Sequence, residues 1–209
     1  MFLVLKGFFL LKRIKRLIKI SLVLIFIVAS VFSYFKIQTM IYPIEYSEYV
    51  DEYCKEYSVD SNLAYAIIKC ESSFNPKAVS SVGAIGLMQL TPDTFDWVQT
   101  KLPSDTKYTK DDLYEPKINI KYGIFLISLH LKEFGDIDTA LAAYHAGRGN
   151  ANKWLEMEEY SENGKTLNTT PYKETNAYIE RVGNVMEKYK YMRDNDFFSQ
   201  FYGYDQSTE

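Results

Sequence analysis

The chain has 209 residues, 47% of them apolar, and a formal net charge of −3. That length fits one domain of ordinary size plus a short appendage, and the apolar share is enough for a core, which excludes wholesale disorder. Acids and bases are mixed along the chain and the only basic cluster is N-terminal, so no nucleic-acid partner is expected.

Residues 1–19, "MFLVLKGFFLLKRIKRLIK", carry Lys6, Lys12, Arg13, Lys15, Arg16 and Lys19 and no acid. Ile20 to Phe35 then runs without a charge. A bilayer-crossing helix needs roughly 17–25 apolar residues. Leu17, Ile18 and Ile37 extend the run if Lys19 and Lys36 bend their charged ends outward. The positive-inside rule puts the basic end in the cytoplasm, giving a single-pass membrane protein with the rest extracytoplasmic. A cleaved secretory signal is the alternative, with small residues at Ala29, Ser30 and Ser33. Both readings export residues 40–209, whereas a buried core helix leaves the one-sided flanking charge unexplained. The expected organisation is residues 1–38 as basic N-terminus and transmembrane anchor (or signal), 39–193 as one domain, and 194–209 as a loose tail.

Residues 36–44 read as a linker closed by Pro43. "EYSEYVDEYCKEY" sets Tyr46, Tyr49, Val50, Tyr53, Cys54 and Tyr57 at helical spacing. "SVDSNLAYAIIKCE" is an apolar helix with Asp60 or Ser61 as its cap, and Asn75-Pro76 stops regular structure soon after Glu71. "SSVGAIG" is a loop; "TPDTFDWVQTKL" restarts a helix with Thr91 as cap and Pro92 in its first position. After a polar connection, "PKINIKYGIFLISLHLKEFG" is a long helix ended by Gly135. "DIDTALAAYHAGRGNANKWLEM" is a helix broken at Gly147-Arg148-Gly149 and then a second one, "SENGKTLNTT" a loop, and "PYKETNAYIERVGNVMEKYKYM" a final helix. No alternating run demands a sheet, so the domain is all-α, with six to eight helices.

Cys54 and Cys70 would lie in an oxidising compartment. If the helices around them turn near Ser58, one is about four residues from the turn and the other about twelve. At about 1.5 Å per residue that offset of about 12 Å is too long for a bridge, so both are expected as small buried apolar residues. The only histidines are His130 and His145, and no metal-ligand spacing exists. No metal and no cofactor is expected.

Glu71 follows Ile67, Ile68 and Cys70 at a helix end. A carboxyl there is partly desolvated and faces the negative end of the helix dipole; both favour its protonated form, which is that of a general acid near neutral pH. A solvated helix-end residue is the plain alternative. Gly83 and Gly86 let a backbone approach a ligand, and Met88 and Gln89 offer a soft apolar surface and an amide. That combination suits sugar rings. The 18 tyrosines point the same way, although a bias in composition would also supply them.

"ESSFNPKAVSSVGAIGLMQLTP", "ALAAYHAGRGNANKW" and "ETNAYIERV" follow in that order. Together they resemble the Slt-type lytic transglycosylases, which have a goose-type lysozyme fold. The resemblance covers about Tyr46 to Tyr189. It implies a lysozyme-like domain that cleaves the β-1,4 bond between N-acetylmuramic acid and N-acetylglucosamine in peptidoglycan without net hydrolysis. It also implies Glu71 as the sole catalytic residue and Ser80 near the sugar's N-acetyl group. Met88 and Gln89 would line the glycan groove, and Tyr144 and His145 would shape the cleft. Glu174 and Tyr178 would come in from the last helix. Asp93 and Asp96 are read as first-turn residues that complement a helix dipole. The family usually has Asn where this chain has His145, so activity is expected to be more pH-sensitive between about 5.5 and 7.5. Arg148, where Pro is common, is expected only to alter the turn.

The expected partners are glycan strands and the membrane, with the chain a monomer. Three other readings are a hydrolytic muramidase on the same fold, a non-catalytic wall-binding or scaffold domain, and an anchored protein whose tyrosine-rich helices bind other proteins.

Overall fold

The computed structural model describes residues 2–102 and 106–194 and divides into two compact units, Met1–Pro43 and Ile44–Glu209. The expected loose tail, apart from Asp194, lies outside the described residues.

The first unit is one helix, α1 (Phe2–Ile41). It runs through residues 36–41, where a linker was expected, because nothing there breaks a helix. The first residue that does is Pro43, which pushes its predecessor out of helical geometry. Phe9–Ile41 is long and apolar enough to cross a membrane. Leu22, Val23, Leu24, Ile25, Phe26 and Ile27 point outward around the whole helix, a pattern stable only in an apolar surrounding.

The second unit contains α2 (Ser47–Tyr57), α3 (Ser61–Ser72), α4 (Pro92–Gln99), α5 (Pro116–Phe134), α6 (Ile137–Ala146), α7 (Arg148–Leu155) and α8 (Lys173–Asp194). A short 3-10 helix, Lys110–Tyr114, lies in the expected polar connection. Among the described residues the only β pairings are the isolated bridges Val79–Ile85 and Ile85–Leu90, so the unit is all-α as expected.

Local chemistry sets the ends of these helices. Asp60 caps α3 by accepting from Asn62 N at 2.8 Å. Thr91 caps α4 ahead of Pro92, and Gly135 closes α5 in the left-handed region at φ 66°. The break between α6 and α7 is Gly147 alone, at φ 91°, ψ 139°, while Arg148 and Gly149 already belong to α7. A single glycine suffices because only glycine adopts that backbone without strain.

α3 lies along α8, α2 packs on α5, and α6 is covered by α5, α7 and α8. Residues Ala140, Leu141, Ala142 and Ala143 of α6 are almost wholly buried. Small side chains there let the neighbouring helices come close. A second cluster (Ile85, Leu90, Phe95, Val98, Leu113, Tyr122 and Leu126) ties the 80–90 loop to α4 and α5. Both cysteines are free thiols: Cys54 is buried, but Cys70 is only half-buried, because its place on α3 faces Arg181 as well as the core.

Candidate active site

Glu71 sits in the last turn of α3, half-buried. Desolvation pushes its carboxyl up to about 7, against the smaller opposing pulls of Tyr178 and Arg181. The next residue fixes that helix end: Ser72 Oγ donates to the Leu87 carbonyl at 2.8 Å, fastening α3 to the loop. Beyond it Ser73 (φ 51°) and Phe74 (φ 65°) turn the chain through the left-handed region, and Phe74 drops into the core beside Tyr65.

Two phenols converge on this carboxyl from other helices. Tyr178 of α8 is 1% exposed. Its buried hydroxyl faces the carboxyl and favours the ionised form of Glu71. Tyr144 of α6 donates to the Met88 carbonyl at 2.7 Å. Burial, and after it the charge of Glu71, pushes both phenols well above their usual range, so both stay protonated.

His145 stacks on Tyr178 with ring centroids 4.5 Å apart, and its Nδ1 lies 3.1 Å from Thr175 Oγ1. Burial and the Arg181 charge lower its pKa from 6.5, more than Glu174 raises it. The expected pH sensitivity of this residue therefore moves to the acid side of its ordinary value. The Arg181 guanidinium itself lies 5.6 Å from the Tyr178 ring centroid.

The loop residues fall around this centre. Ser80 Oγ accepts from Ala84 N at 3.0 Å and shapes the turn. Gln89, at φ 49°, donates through Nε2 to the Gly86 carbonyl (2.9 Å) and the Ala78 carbonyl (3.2 Å), which leaves its amide oxygen for a ligand. Met88 departs from expectation. Its side chain is 0% exposed and fills the slot that Gly123 opens on α5, so it cannot line a groove; what it offers the site is its carbonyl. Glu174 is exposed in the first turn of α8 and is not among the groups acting on Glu71. Asp93 and Asp96, also exposed on α4, are likewise absent from that set. Arg148 begins α7 and pairs with Glu133 at 2.6 Å.

Sequence reasoning missed Asn119, Thr175 and Arg181. Asn119 of α5 is 0% exposed; its Oδ1 accepts from Met88 N at 2.7 Å, and its Nδ2 donates to the Ile85 and Leu113 carbonyls at 2.9 Å each. A methyl at Gly86 would overlap that amide, which is why the loop needs glycine there. The available signal was an amide between two isoleucines in an otherwise apolar helix. Thr175 and Arg181 stood inside a recognised block, with nothing in the spacing to mark them.

The family model for the Transglycosylase SLT domain matches residues 48–168. The chain is 36% identical over 105 residues to a transglycosylase of Enterobacteria phage PRD1, which covers 50% of this chain and 36% of the relative. It is 27% identical over 170 residues to a membrane-bound lytic murein transglycosylase C of Actinobacillus pleuropneumoniae, covering 71% and 47%. The 70 kDa soluble lytic transglycosylase of Escherichia coli superposes with a TM-score of 0.65 at 26% identity, over 75% of this chain and 26% of that one. The chain thus spans less than half the length of each of these relatives. With the three sequence blocks meeting around one carboxyl on an all-α frame, and more than half of the chain matched, this protein belongs to the transglycosylase SLT domain family.

Proposed function

We propose that the chain is a peptidoglycan lytic transglycosylase, anchored in a membrane by α1, that cleaves the MurNAc-β-1,4-GlcNAc bond and leaves 1,6-anhydro ends. The observation that carries this reading is one carboxyl, Glu71, whose pKa burial pushes up to about 7, with no second carboxyl among the groups acting on it. Ordinary glycosidases set two carboxylates across the bond, one as acid and the other as nucleophile or base. A single group suffices when the substrate carries its own nucleophile.

In this mechanism Glu71 gives its proton to the glycosidic oxygen as the C1–O bond breaks. The substrate's N-acetyl group assists at the oxocarbenium-like C1. The Glu71 carboxylate then takes the proton of the same sugar's C6 hydroxyl as O6 bonds to C1, which returns the enzyme to its starting state and consumes no water. Tethering gives that hydroxyl a high effective concentration. The hydroxyl of Tyr178, which favours the ionised form of Glu71, would steady the carboxylate during the interval when it is charged. The Gln89 amide oxygen and Ser80 support substrate placement from the loop side.

Digestion of purified sacculi tests the reading. The native chain should release anhydro-ended muropeptides, one water lighter than hydrolysis products, and Glu71→Gln should release none. Reducing ends alone would identify a hydrolytic muramidase. Equal cleavage by Glu71→Gln would remove the catalytic assignment, and retention without cleavage by either form would leave a wall-binding domain.

A further inference from the structure

Phe9–Ile41 has 33 residues. At about 1.5 Å per residue that is roughly 50 Å of helix, against a hydrocarbon core of about 30 Å. The uncharged run from Ile20 to Phe35 suits the core. The helix does not stop at the edge of that run: residues 9–19 are part of α1 and all are exposed. With Ile20 at the boundary, Lys19, Arg16 and Lys15 lie within roughly 8 Å of it, the depth of the headgroup layer.

These cations share a face. Lys12, Lys15, Arg16 and Lys19 follow the i, i+3, i+4, i+7 spacing of one helix side, with Arg13 beside them. Leu10, Leu11, Ile14, Leu17 and Ile18 fall together on the opposite arc, roughly 120° wide at about 100° per residue. Of residues 9–19, Phe9 is the one apolar residue on the basic side. Orienting a membrane helix needs only an excess of positive charge at one end, in any arrangement around the axis. An arc of cations backed by an arc of aliphatics is the pattern of a helix seated at a membrane surface. There the apolar side enters the acyl boundary and the basic side meets phosphate. A tilt of α1 toward its apolar arc makes both contacts without a break in the helix. No acid answers these charges within α1, since the first of the chain's 27 acids is Glu45.

We propose that the Lys12–Lys19 face of α1 binds anionic lipid headgroups and gives this anchor a preference for anionic over zwitterionic lipid. The proposal rests on the reading of α1 as a retained membrane anchor, and not on the chemistry at Glu71. The full chain can be reconstituted into phosphatidylcholine vesicles and probed by electron spin resonance with trace spin-labelled phosphatidylglycerol or phosphatidylcholine. The native chain should hold phosphatidylglycerol roughly fivefold more tightly, the attraction expected of about one cation at a lipid surface. Salt at about 1 M, with a screening length of about 3 Å, should remove most of that preference, and dilute inorganic phosphate should not. Lys12→Gln, Lys15→Gln, Arg16→Gln and Lys19→Gln together should bring the two lipids to parity. Lys12→Arg, Lys15→Arg and Lys19→Arg together should keep the native preference. Equal retention of both lipids by the native chain would overturn the proposal. So would a preference that survives the joint change to Gln, which would put the lipid contact elsewhere, or one that dilute phosphate abolishes, which would mark a free-anion site. Labelled RNA held by the native chain but not by the Gln variant, with no lipid preference, would assign the face to nucleic acid and overturn it too. A native chain that carbonate extracts from the vesicles would refute the anchor and this inference with it, while cleavage of sacculi reports on Glu71 separately.

Discussion

Replacing Asn119 by alanine should damage both the fold and the site, by an amount the structure fixes. The change deletes three hydrogen bonds at a 0% exposed position. The Ile85 carbonyl keeps the Leu90 N–H at 3.1 Å, but the Met88 N–H and the Leu113 carbonyl lose this partner. A buried polar group left unpaired costs about 1–3 kcal/mol, so two of them cost about 4 kcal/mol, a large part of the roughly 5–15 kcal/mol that stabilises a domain. At about 2–4 °C per kcal/mol for a domain of this size, the melting temperature should fall by roughly 10 °C. Near-UV circular dichroism of the full chain in detergent measures it. Asn119→Asp is the control of nearly equal volume: it keeps an acceptor for Met88 N–H but turns a carboxylate toward two carbonyls, and should be at least as harmful. A melting temperature for Asn119→Ala within about two degrees of the native value would refute this account of the loop.

Glu71→Gln should stabilise the protein at high pH. The native carboxyl has a folded pKa of about 7 against 4.5 unperturbed. Between those values the folded state holds a proton the unfolded chain has released, so native stability falls as pH rises through that window and levels off above it. The shift corresponds to at most about 3 kcal/mol. Melting curves of the two forms should therefore coincide near pH 4 and separate by pH 8, with the variant higher. Arg181→Gln removes a cation that favours ionised Glu71, so the alkaline limb of the activity profile should move to higher pH, by up to about one unit. His145→Asn should leave activity above about pH 6.5 unchanged and alter it only on the acid side, where the native imidazole gains its proton; profiles that diverge above neutrality would contradict the lowered pKa.

The helices and the carboxyl were legible because their signals are local. Asp60, Thr91-Pro92 and Gly135 announce helix ends within a few residues, and Glu71 stands at the close of an apolar run. What stayed hidden depends on partners far away in the chain. Asn119 reads as a misplaced amide until Met88 and Ile85, 31 and 34 residues earlier, come to meet it. Met88 reads as a groove surface because it follows a glycine loop; only the approach of Gly123 on α5 shows that its side chain is core. The end of α1 was misplaced for a different reason: polar residues in 36–41 weaken a membrane-embedded pattern without weakening a helix.

The run of alanines in α6 has an outcome for how this protein can vary. Tyr144 hangs from that helix, and α8, which carries Tyr178, rests on it. How closely α5, α7 and α8 can approach α6 thus depends on missing volume at Ala140, Ala142 and Ala143, none of which bears a reactive group. One added methyl there would act as a wedge, prying the jaws of the site apart while leaving every chemical participant intact.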